Sequence, residues 1–157
     1  MLTYLAGGGA ERITIGAAAL AHMRAHRQLC VGDAEAGGQL FAQLASGCVD
    51  IVVATGPRPQ DRRSRFYFAP DRIMERREIA KLHREGLHYV GDWHTHPEPA
   101  PSPSALDLHN IRQIFTQSRH TYGGILMVIV GQAELPDGMF VGIANAQQVK
   151  QLFQVSI

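Results

Sequence analysis

The spacing of apolar positions along the chain predicts three helices and six strands. Apolar residues recur at helical spacing in three segments that begin with a residue able to cap a helix: Thr14 to about His26, Asp71 to about Gly86, and Ser104 to Arg119. Apolar or alternating runs predict strands at Gly37–Leu44, Cys48–Ala54, Phe66–Phe68, His88–His94, Leu126–Val130 and Met139–Ala144. The last stretch, from about Gln148 to Val155, is compatible with a strand or a helix.

Glycine and proline mark the connections between these elements. Ala45–Gly47 predicts a hairpin turn, and the stretches 56–65 and 97–103, with four arginines and four prolines respectively, predict loops. Because strands and helices interleave, the predicted fold class is α/β or α+β, a mixed sheet flanked by helices. The 157 residues contain no repeat or long linker and predict a single domain, 1–157. The spacing assigns these side chains of the second and third helices to the core: Ile73, Ile79, Leu82, Leu106, Ile111, Ile114 and Phe115.

Composition narrows the range of partners and locations. With 45% hydrophobic and 18% charged residues the chain is expected to fold, and a net charge of +1 favours neither nucleic acid nor an anionic membrane as a partner. The longest apolar run, 123–131, is far shorter than the ~20 residues of a membrane helix, and no leader is recognisable. Two cysteines fit a reducing cytoplasm and are too few for a cysteine-built metal site.

The candidate chemistry lies in His94 and His96. They are two residues apart at the end of a predicted strand, so their side chains share one face and can share a divalent metal. Asp107 lies in the first turn of the helix that follows the proline-rich loop, and it becomes a third ligand if that loop folds back. Two histidines and one carboxylate leave the fourth tetrahedral position to water, which is typical of a catalytic zinc site.

Each of these features also has a purely structural interpretation. A surface strand can carry both histidines, Ser102 followed by Pro103 is a good helix start, and Ser104-x-x-Asp107 can be a capping box and nothing more. Glu35, just before an apolar strand, is either a base for the attacking water or a solvated loop residue.

The whole pattern resembles the JAMM motif of the JAB1/MPN/Mov34 metalloprotease family. That motif is Glu, a long gap, His-[Ser/Thr]-His-Pro, six residues, Ser, two residues and Asp, and Glu35, His94-Thr95-His96-Pro97, Ser104 and Asp107 fill every position. The segment Glu35–Leu40 is also similar to the family's Glu-x-x-Gly-x-Leu strand entry. The resemblance spans residues 14 to 155.

This resemblance implies a site and an activity. His94, His96 and Asp107 hold one zinc ion, Glu35 acts as general base and then as acid to the leaving amine, and Ser104 stabilises the oxyanion. The implied fold is the mixed, curved sheet of the MPN domain between helices. The implied reaction is hydrolysis of the amide bond after the C-terminal tail of a ubiquitin-like modifier or a similarly conjugated protein.

The branch of the family is indicated by Tyr89–Glu98, which looks like compact bacterial members encoded in antiphage operons beside E1- and E2-like enzymes. Such operons conjugate a bacterial ubiquitin-like protein (Bil) or the C-terminus of a cGAS-like nucleotidyltransferase (type II CBASS), and the resemblance is compatible with both. Two other functions stay open: a catalytically silent MPN scaffold, and a hydrolase that processes sulfur-carrier proteins.

Two further features have open interpretations. Arg62, Arg63 and Arg65 form either a solvated turn or a clamp on an extended substrate tail, which would gain main-chain hydrogen bonds along the 35–44 strand and the arginine loop. Asp92 either supports His94 as an outer carboxylate or is buried and hydrogen-bonded.

Overall fold

The computed structural model describes residues 1–118 and 123–156 and is built on one mixed sheet of eight strands. The sheet has the spatial order β1-β2-β4-β3-β7-β8-β9-β10, and a hairpin of β5 and β6 lies outside it. The strands are β1 (Leu2–Ala6), β2 (Glu11–Ile15), β3 (Gly37–Ala45), β4 (Cys48–Ala54), β5 (Arg62–Ser64), β6 (Tyr67–Ala69), β7 (His88–Thr95), β8 (Ile125–Val130), β9 (Met139–Ala144) and β10 (Val149–Gln151). The helices are α1 (Ala17–Ala25), α2 (Arg72–Arg84) and α3 (Ala105–Gln117), with a short 3-10 turn at Gly7–Gly9.

Helices cover both faces of the sheet, which confirms the predicted class. The alternation of side chains along β8 separates the two cores: Val128 belongs to the core that includes α1, and Met127 to the core that includes Ile111 of α3. The pairs β2–β4 and β7–β8 are parallel, and all other neighbouring strands are antiparallel. The end of β7 therefore lies deep inside the sheet, between β3 and β8.

The second helix, α2, is attached to the sheet mainly through polar groups. Asp71 caps it by accepting hydrogen bonds from the backbone N–H groups of the first turn, as predicted. Its one buried residue is Glu75, whose carboxylate accepts a hydrogen bond from the buried amide of Gln39 on β3 (3.2 Å). Gln39 lies opposite Asp92 of β7, and Asp92 lies opposite Met127 of β8, which packs in the same core as Ile111 of α3. Because paired residues share a face of the sheet, α2 and α3 lie on the same face.

Two residues assigned to the core are exposed, and this part of the prediction is wrong. Ile73 is 62% exposed and Leu106 is 55% exposed. Both lie in the first turn of their helix, where the residue that contacts the sheet is polar: Glu75 in α2 and Asp107 in α3. Leu106 instead lines the cavity above β7.

The N-terminal prediction is also wrong. Thr14 does not cap a helix: it lies in β2, where its hydroxyl donates to the carboxylate of Asp50, and α1 begins at Ala17 after Gly16. The strands β1 and β2 were not predicted, because Ile13 and Ile15 of β2 run directly into the apolar residues of α1 and hide the change of period.

Smaller differences concern element ends. The predicted loop 56–65 ends in β5, the predicted strand at 66–68 is β6 one residue later, and the ambiguous C-terminal stretch contains a strand, β10. The third helix is capped by Ser104 and not by Ser102, and its predicted end at Arg119 lies outside the described residues. Within residues 1–118 and 123–156, no helix is both long and apolar enough to cross a membrane.

Gly91 is expected to be essential to the pairing of β7 with β8. A Cβ built on Gly91 would overlap the main chain of Leu126 on the parallel neighbour. Since backbone cannot yield as a side-chain tip can, we expect Gly91→Ala to lower the free energy of unfolding by about 2 kcal/mol or more. Chemical denaturation of Gly123→Ala is the matched control, because nothing lies within 4 Å of a Cβ there. Equal stability of the two variants would contradict this view of the β7–β8 pair.

Candidate active site

The two histidines of the predicted metal site lie side by side at the end of β7. His94 pairs with Gly37 of β3, and the backbone N–H of His96 donates to Val130 at the end of β8 (3.0 Å). Their side chains share one face of the strand, and their Nε2 atoms are 3.2 Å apart. Both rings are largely buried, with 13% and 11% of the side chain exposed. This burial argues against the alternative in which a surface strand carries both histidines.

Asp107 completes a triangle of donor atoms. One carboxylate oxygen lies 3.3 Å from Nε2 of His94 and the other lies 3.2 Å from Nε2 of His96. Tetrahedral coordination with bonds of 2.0–2.1 Å separates neighbouring ligand atoms by about 3.3 Å. The two histidine nitrogens are therefore at this spacing from each other, and each is at this spacing from one of the two oxygens of Asp107.

The position of Asp107 is fixed by the start of α3. Its carboxylate accepts a hydrogen bond from the N–H of Ser104 (2.8 Å), and the Ser104 hydroxyl accepts one from the N–H of Asp107 (3.1 Å). This is the capping box expected from the sequence, and the same carboxylate also faces both histidines. The capping box and the predicted ligand role of Asp107 are therefore compatible, because one position of the carboxylate serves both.

Burial and charge set the protonation of this triangle. Burial by itself raises the pKa of the Asp107 carboxyl, but hydrogen bonds and charge from His94 and His96 hold that pKa well below its usual range. Burial lowers the pKa of His96, but the hydrogen bond and charge of Asp107 outweigh it and raise that pKa above its usual value. An ionised carboxylate thus faces two imidazoles in a partly dry site, where a divalent cation would be attracted.

Glu35 lies beside the triangle and is only 6% exposed, so it is not a solvated loop residue. A carboxylate oxygen of Glu35 and one ring nitrogen of each histidine lie within 4.8 Å of one another. Burial raises the pKa of the Glu35 carboxyl above its usual value, against the opposing charges of His94 and His96. A carboxylate whose pKa is raised is suited to accept and return a proton near neutral pH.

A buried hydrogen-bond network fixes Glu35 relative to the histidines. The hydroxyl of Thr95, between the two histidines, accepts from the N–H of Ala36 (2.9 Å) and donates to the side-chain oxygen of Gln28 (2.9 Å). The N–H of Thr95 donates to the carbonyl of Ala36 (2.8 Å). The amide of Gln28 donates in turn to the carbonyls of Asp33 (3.1 Å) and Arg65 (2.8 Å). Gln28 and Thr95 are both 0% exposed, so these bonds are shielded from water.

Two cavities open onto the site. One, of about 400 Å³, extends from Glu35, His94 and Asp107 towards Asp92. The other, of about 180 Å³, reaches the triangle from the side of Ser104. Two walls flank the smaller cavity, and an extended chain would pass between them. One wall is the β5–β6 hairpin, with Phe66, Tyr67 and Phe68, and the other is the first turns of α3, with Leu106 and Asn110.

The three arginines predicted as a clamp are placed differently from one another. The guanidinium of Arg63 donates to the carbonyl of Glu35 (2.7 Å), and that of Arg65 donates to the carbonyl of Val31 (2.5 Å). These two side chains therefore anchor the main chain around the site. Arg62 is exposed and lines the larger cavity, so it is the arginine with access to a substrate.

Asp92 fits the second of its predicted interpretations, a hydrogen-bonded carboxylate inside the fold. It lies on the His94 face of β7 and lines the larger cavity, and it accepts a hydrogen bond from the Tyr89 hydroxyl (2.9 Å). Burial, with the charge of Glu75 nearby, raises the pKa of Asp92 well above its usual value. Asp92 is thus a polar residue in the wall of the cavity, two residues before His94 on the same face of β7.

Sequence reasoning missed Gln28 and the part played by Thr95. Gln28 follows the first helix and belongs to no recognisable pattern, and it becomes important only because the fold brings residue 28 against residue 95. Thr95 was visible as the middle residue of His-x-His. A hydroxyl residue enclosed between two candidate ligands, pointing to the opposite face, is the feature that could have identified it.

Comparison with known proteins places this geometry in a family. The family model described as prokaryotic homologs of the JAB domain matches residues 16–143. Over 117 residues the chain is 35% identical to a CD-NTase/cGAS isopeptidase of Pseudomonas aeruginosa (strain BWHPSA011 / Pa011), covering 71% of this chain and 72% of that protein. Over 87 residues it is 32% identical to a probable metalloprotease of Sinorhizobium fredii (strain NBRC 101917 / NGR234), covering 52% and 53%.

A solved structure agrees on the fold. The solution structure of a protein from Desulfitobacterium hafniense covers 88% of both chains with a TM-score of 0.64 and 19% identity, a likeness that bears on the fold alone. The family match extends over most of the chain and includes the residues of the triangle. The chain therefore belongs to the prokaryotic homologs of the JAB domain.

Proposed function

We propose that this protein is a zinc-dependent isopeptidase. The observation that carries the proposal is the triangle of His94, His96 and Asp107, with donor atoms 3.2–3.3 Å apart and Glu35 beside it. Two imidazoles and one carboxylate form a donor set that suits zinc and leaves one position open. When bound, the ion supplies Lewis-acid chemistry: it polarises the scissile carbonyl and lowers the pKa of water to about 7.

Glu35 is proposed as the proton carrier of the reaction. Its carboxylate takes a proton from the attacking water and later delivers it to the leaving amine. Its burial supports this role, because a raised pKa lets the same group act first as base and then as acid. The Glu35 carbonyl accepts a hydrogen bond from Arg63 (2.7 Å) and the Glu35 N–H donates one to the Ser64 carbonyl (2.8 Å), which fixes the main chain that carries the carboxylate.

Ser104 is proposed to stabilise the oxyanion that forms when water attacks. Its hydroxyl hydrogen is available, because the oxygen acts as acceptor towards the N–H of Asp107. Ser104, Glu35 and His96 line the same small cavity, so a carbonyl between them meets the base on one side and the hydroxyl on the other. A donor of this kind is typically worth about 3 kcal/mol in the transition state.

The proposed substrate is a protein conjugated through its C-terminal tail. The name of the Pseudomonas aeruginosa relative, CD-NTase/cGAS isopeptidase, supports a nucleotidyltransferase as the conjugated protein, with a ubiquitin-like modifier as the second candidate. In either case the enzyme would reverse a reaction of E1- and E2-like partners in the cytoplasm during antiviral defence. The tail is expected to end in a small residue, because the scissile carbonyl must enter between Glu35 and Ser104.

The tail is proposed to lie along β6. The strand β3, first considered for this pairing, has no free edge because β4 and β7 flank it. The outer edge of β6 has no strand neighbour among the described residues, and Tyr67, Phe68 and Ala69 line the cavity beside it. An extended tail can add there by main-chain hydrogen bonds, and the side chain of Arg62, on the neighbouring strand β5, lines the same cavity.

The ligand assignment predicts loss of metal from single variants. Wild-type protein is expected to hold about one zinc per chain, and His94→Ala or Asp107→Ala well below one, because two remaining donors bind zinc weakly. Metal analysis of dialysed, purified proteins measures this. His109→Ala, which removes an exposed histidine of the same helix, should keep the full content. Full zinc in both ligand variants would remove them from the site.

The role of Glu35 is separated from that of the ligands by Glu35→Gln. This variant should keep its zinc and lose about a hundredfold or more in kcat, because it removes a proton carrier and no coordination bond. The measurement is cleavage of a fluorogenic tail substrate, with Glu85→Gln as a control at an exposed position. Wild-type turnover by Glu35→Gln would refute the assignment.

The tail-binding role of Arg62 predicts an effect on binding more than on chemistry. Arg62→Ala should raise KM several-fold and leave kcat within about twofold, because the side chain contacts the tail and not the scissile bond. Arg76→Ala, on an exposed face of α2, serves as the matched control.

The same assay includes substrates with Gly or Trp before the scissile bond. Only the Gly substrate should be cleaved efficiently. An unchanged KM in Arg62→Ala, or equal cleavage of the two substrates, would contradict this account of the tail.

A further inference from the structure

A second groove lies along α2, apart from the proposed metal site. Its volume is about 590 Å³, compared with about 400 Å³ for the larger cavity at the triangle, and the two share no lining residue. Its apolar walls are Val53 of β4 and Met74 and Leu82 of α2. A volume of this size is typical of small-molecule sites.

Two cations of α2 stand at this groove without partners. Arg77 and Lys81 are one helical turn apart, and both are exposed. Neither side chain has a hydrogen bond or ion pair with any residue in 1–118 or 123–156. Like charges at this spacing repel each other. An anion between them would relieve this repulsion.

A third cation of the groove is buried and incompletely bonded. The side chain of Arg58 is 9% exposed, and its Nη1 is a buried donor with no acceptor. Its Nη2 donates to Gln39 (2.6 Å) and pairs with Glu78, so the one carboxylate that lines the groove is already neutralised. The lining thus has three cations against one carboxylate, and one of the cations has an unused donor.

We propose that this groove binds a phosphate monoester carried on a flat apolar group, of the class of a nucleoside monophosphate. The forked donors of Arg77 match phosphate oxygens, Lys81 adds a point charge for the dianion, and the buried guanidinium of Arg58 adds positive potential from the groove wall. The apolar side chains of Val53, Met74 and Leu82 cover the faces of the base. The exposed amide of Gln60, which has no partner among the described residues, is placed to bond its edge.

The test uses AMP as the probe, with calorimetry at low ionic strength on the full-length protein, metal-loaded and metal-free. AMP is expected to bind with a Kd below about 1 mM in both forms, since the groove contains none of the proposed zinc ligands. Adenosine and inorganic phosphate should each bind at least tenfold more weakly, because each lacks one half of the proposed ligand.

Two variants and a charge-matched control locate the binding. The double variant Arg77→Gln/Lys81→Gln should weaken AMP at least tenfold, and Leu82→Trp should do the same by filling the groove. Arg76→Gln/Arg84→Gln removes the same charge from other positions of α2 and should bind AMP within twofold of wild type. Arg58 is left intact because its bond to Gln39 supports the fold.

Three outcomes would overturn the proposal: no AMP binding below about 1 mM, undiminished binding in the first double variant, or equal loss in the control double variant. Because binding is measured without zinc and without substrate, none of these outcomes depends on the proposed isopeptidase activity.

Discussion

The buried hydroxyl of Thr95 holds the two parts of the site together. It accepts from the N–H of Ala36 and donates to Gln28, so the strand that carries the histidines is bonded to the segment that carries Glu35. Gln28 extends this connection to the turn of the β5–β6 hairpin through the carbonyl of Arg65. One water-shielded network therefore sets the distance from Glu35 to the two histidines and the position of the cavity wall. Such networks are rigid when every member is satisfied, as Thr95 and the amide of Gln28 are here.

The carboxylate of Asp107 shows how a local rule of helix formation serves the site. A capping box usually contributes only to helix stability, with caps worth about 1 kcal/mol. Here the bond from the Ser104 N–H (2.8 Å) also fixes the rotamer of Asp107, so its oxygens face His94 and His96 before any ion arrives. The Asp107 carboxylate is preorganised by the start of α3, at the point where the proline-rich loop returns the chain to the end of β7. This arrangement explains why the spacing from His96 to Ser104 matters to the proposed site.

The sequence was most informative where local rules decide the structure. The spacing of His94, His96, Ser104 and Asp107 predicted a triangle that the fold brings together. The interleaving of strands and helices along the chain predicted the mixed sheet. The prediction failed where tertiary packing decides. Ile73 and Leu106 have the right period, but polar residues of the same first turns contact the sheet in their place. Among these, buried Glu75 attaches α2, which no apolar pattern can reveal. Gln28 and the anchoring bonds of Arg63 and Arg65 depend on contacts between residues about 30 to 70 positions apart along the chain.

We propose that the ion is held by His94, His96 and Asp107, with Glu35 outside the coordination sphere. A crystal structure of the zinc-loaded protein, with anomalous data at the zinc edge, would locate the ion. One peak is expected at about 2.0–2.1 Å from Nε2 of both histidines and from one oxygen of Asp107, with Glu35 making no bond to it. A peak coordinated by Glu35 in place of Asp107, or no peak at this triangle, would refute this assignment.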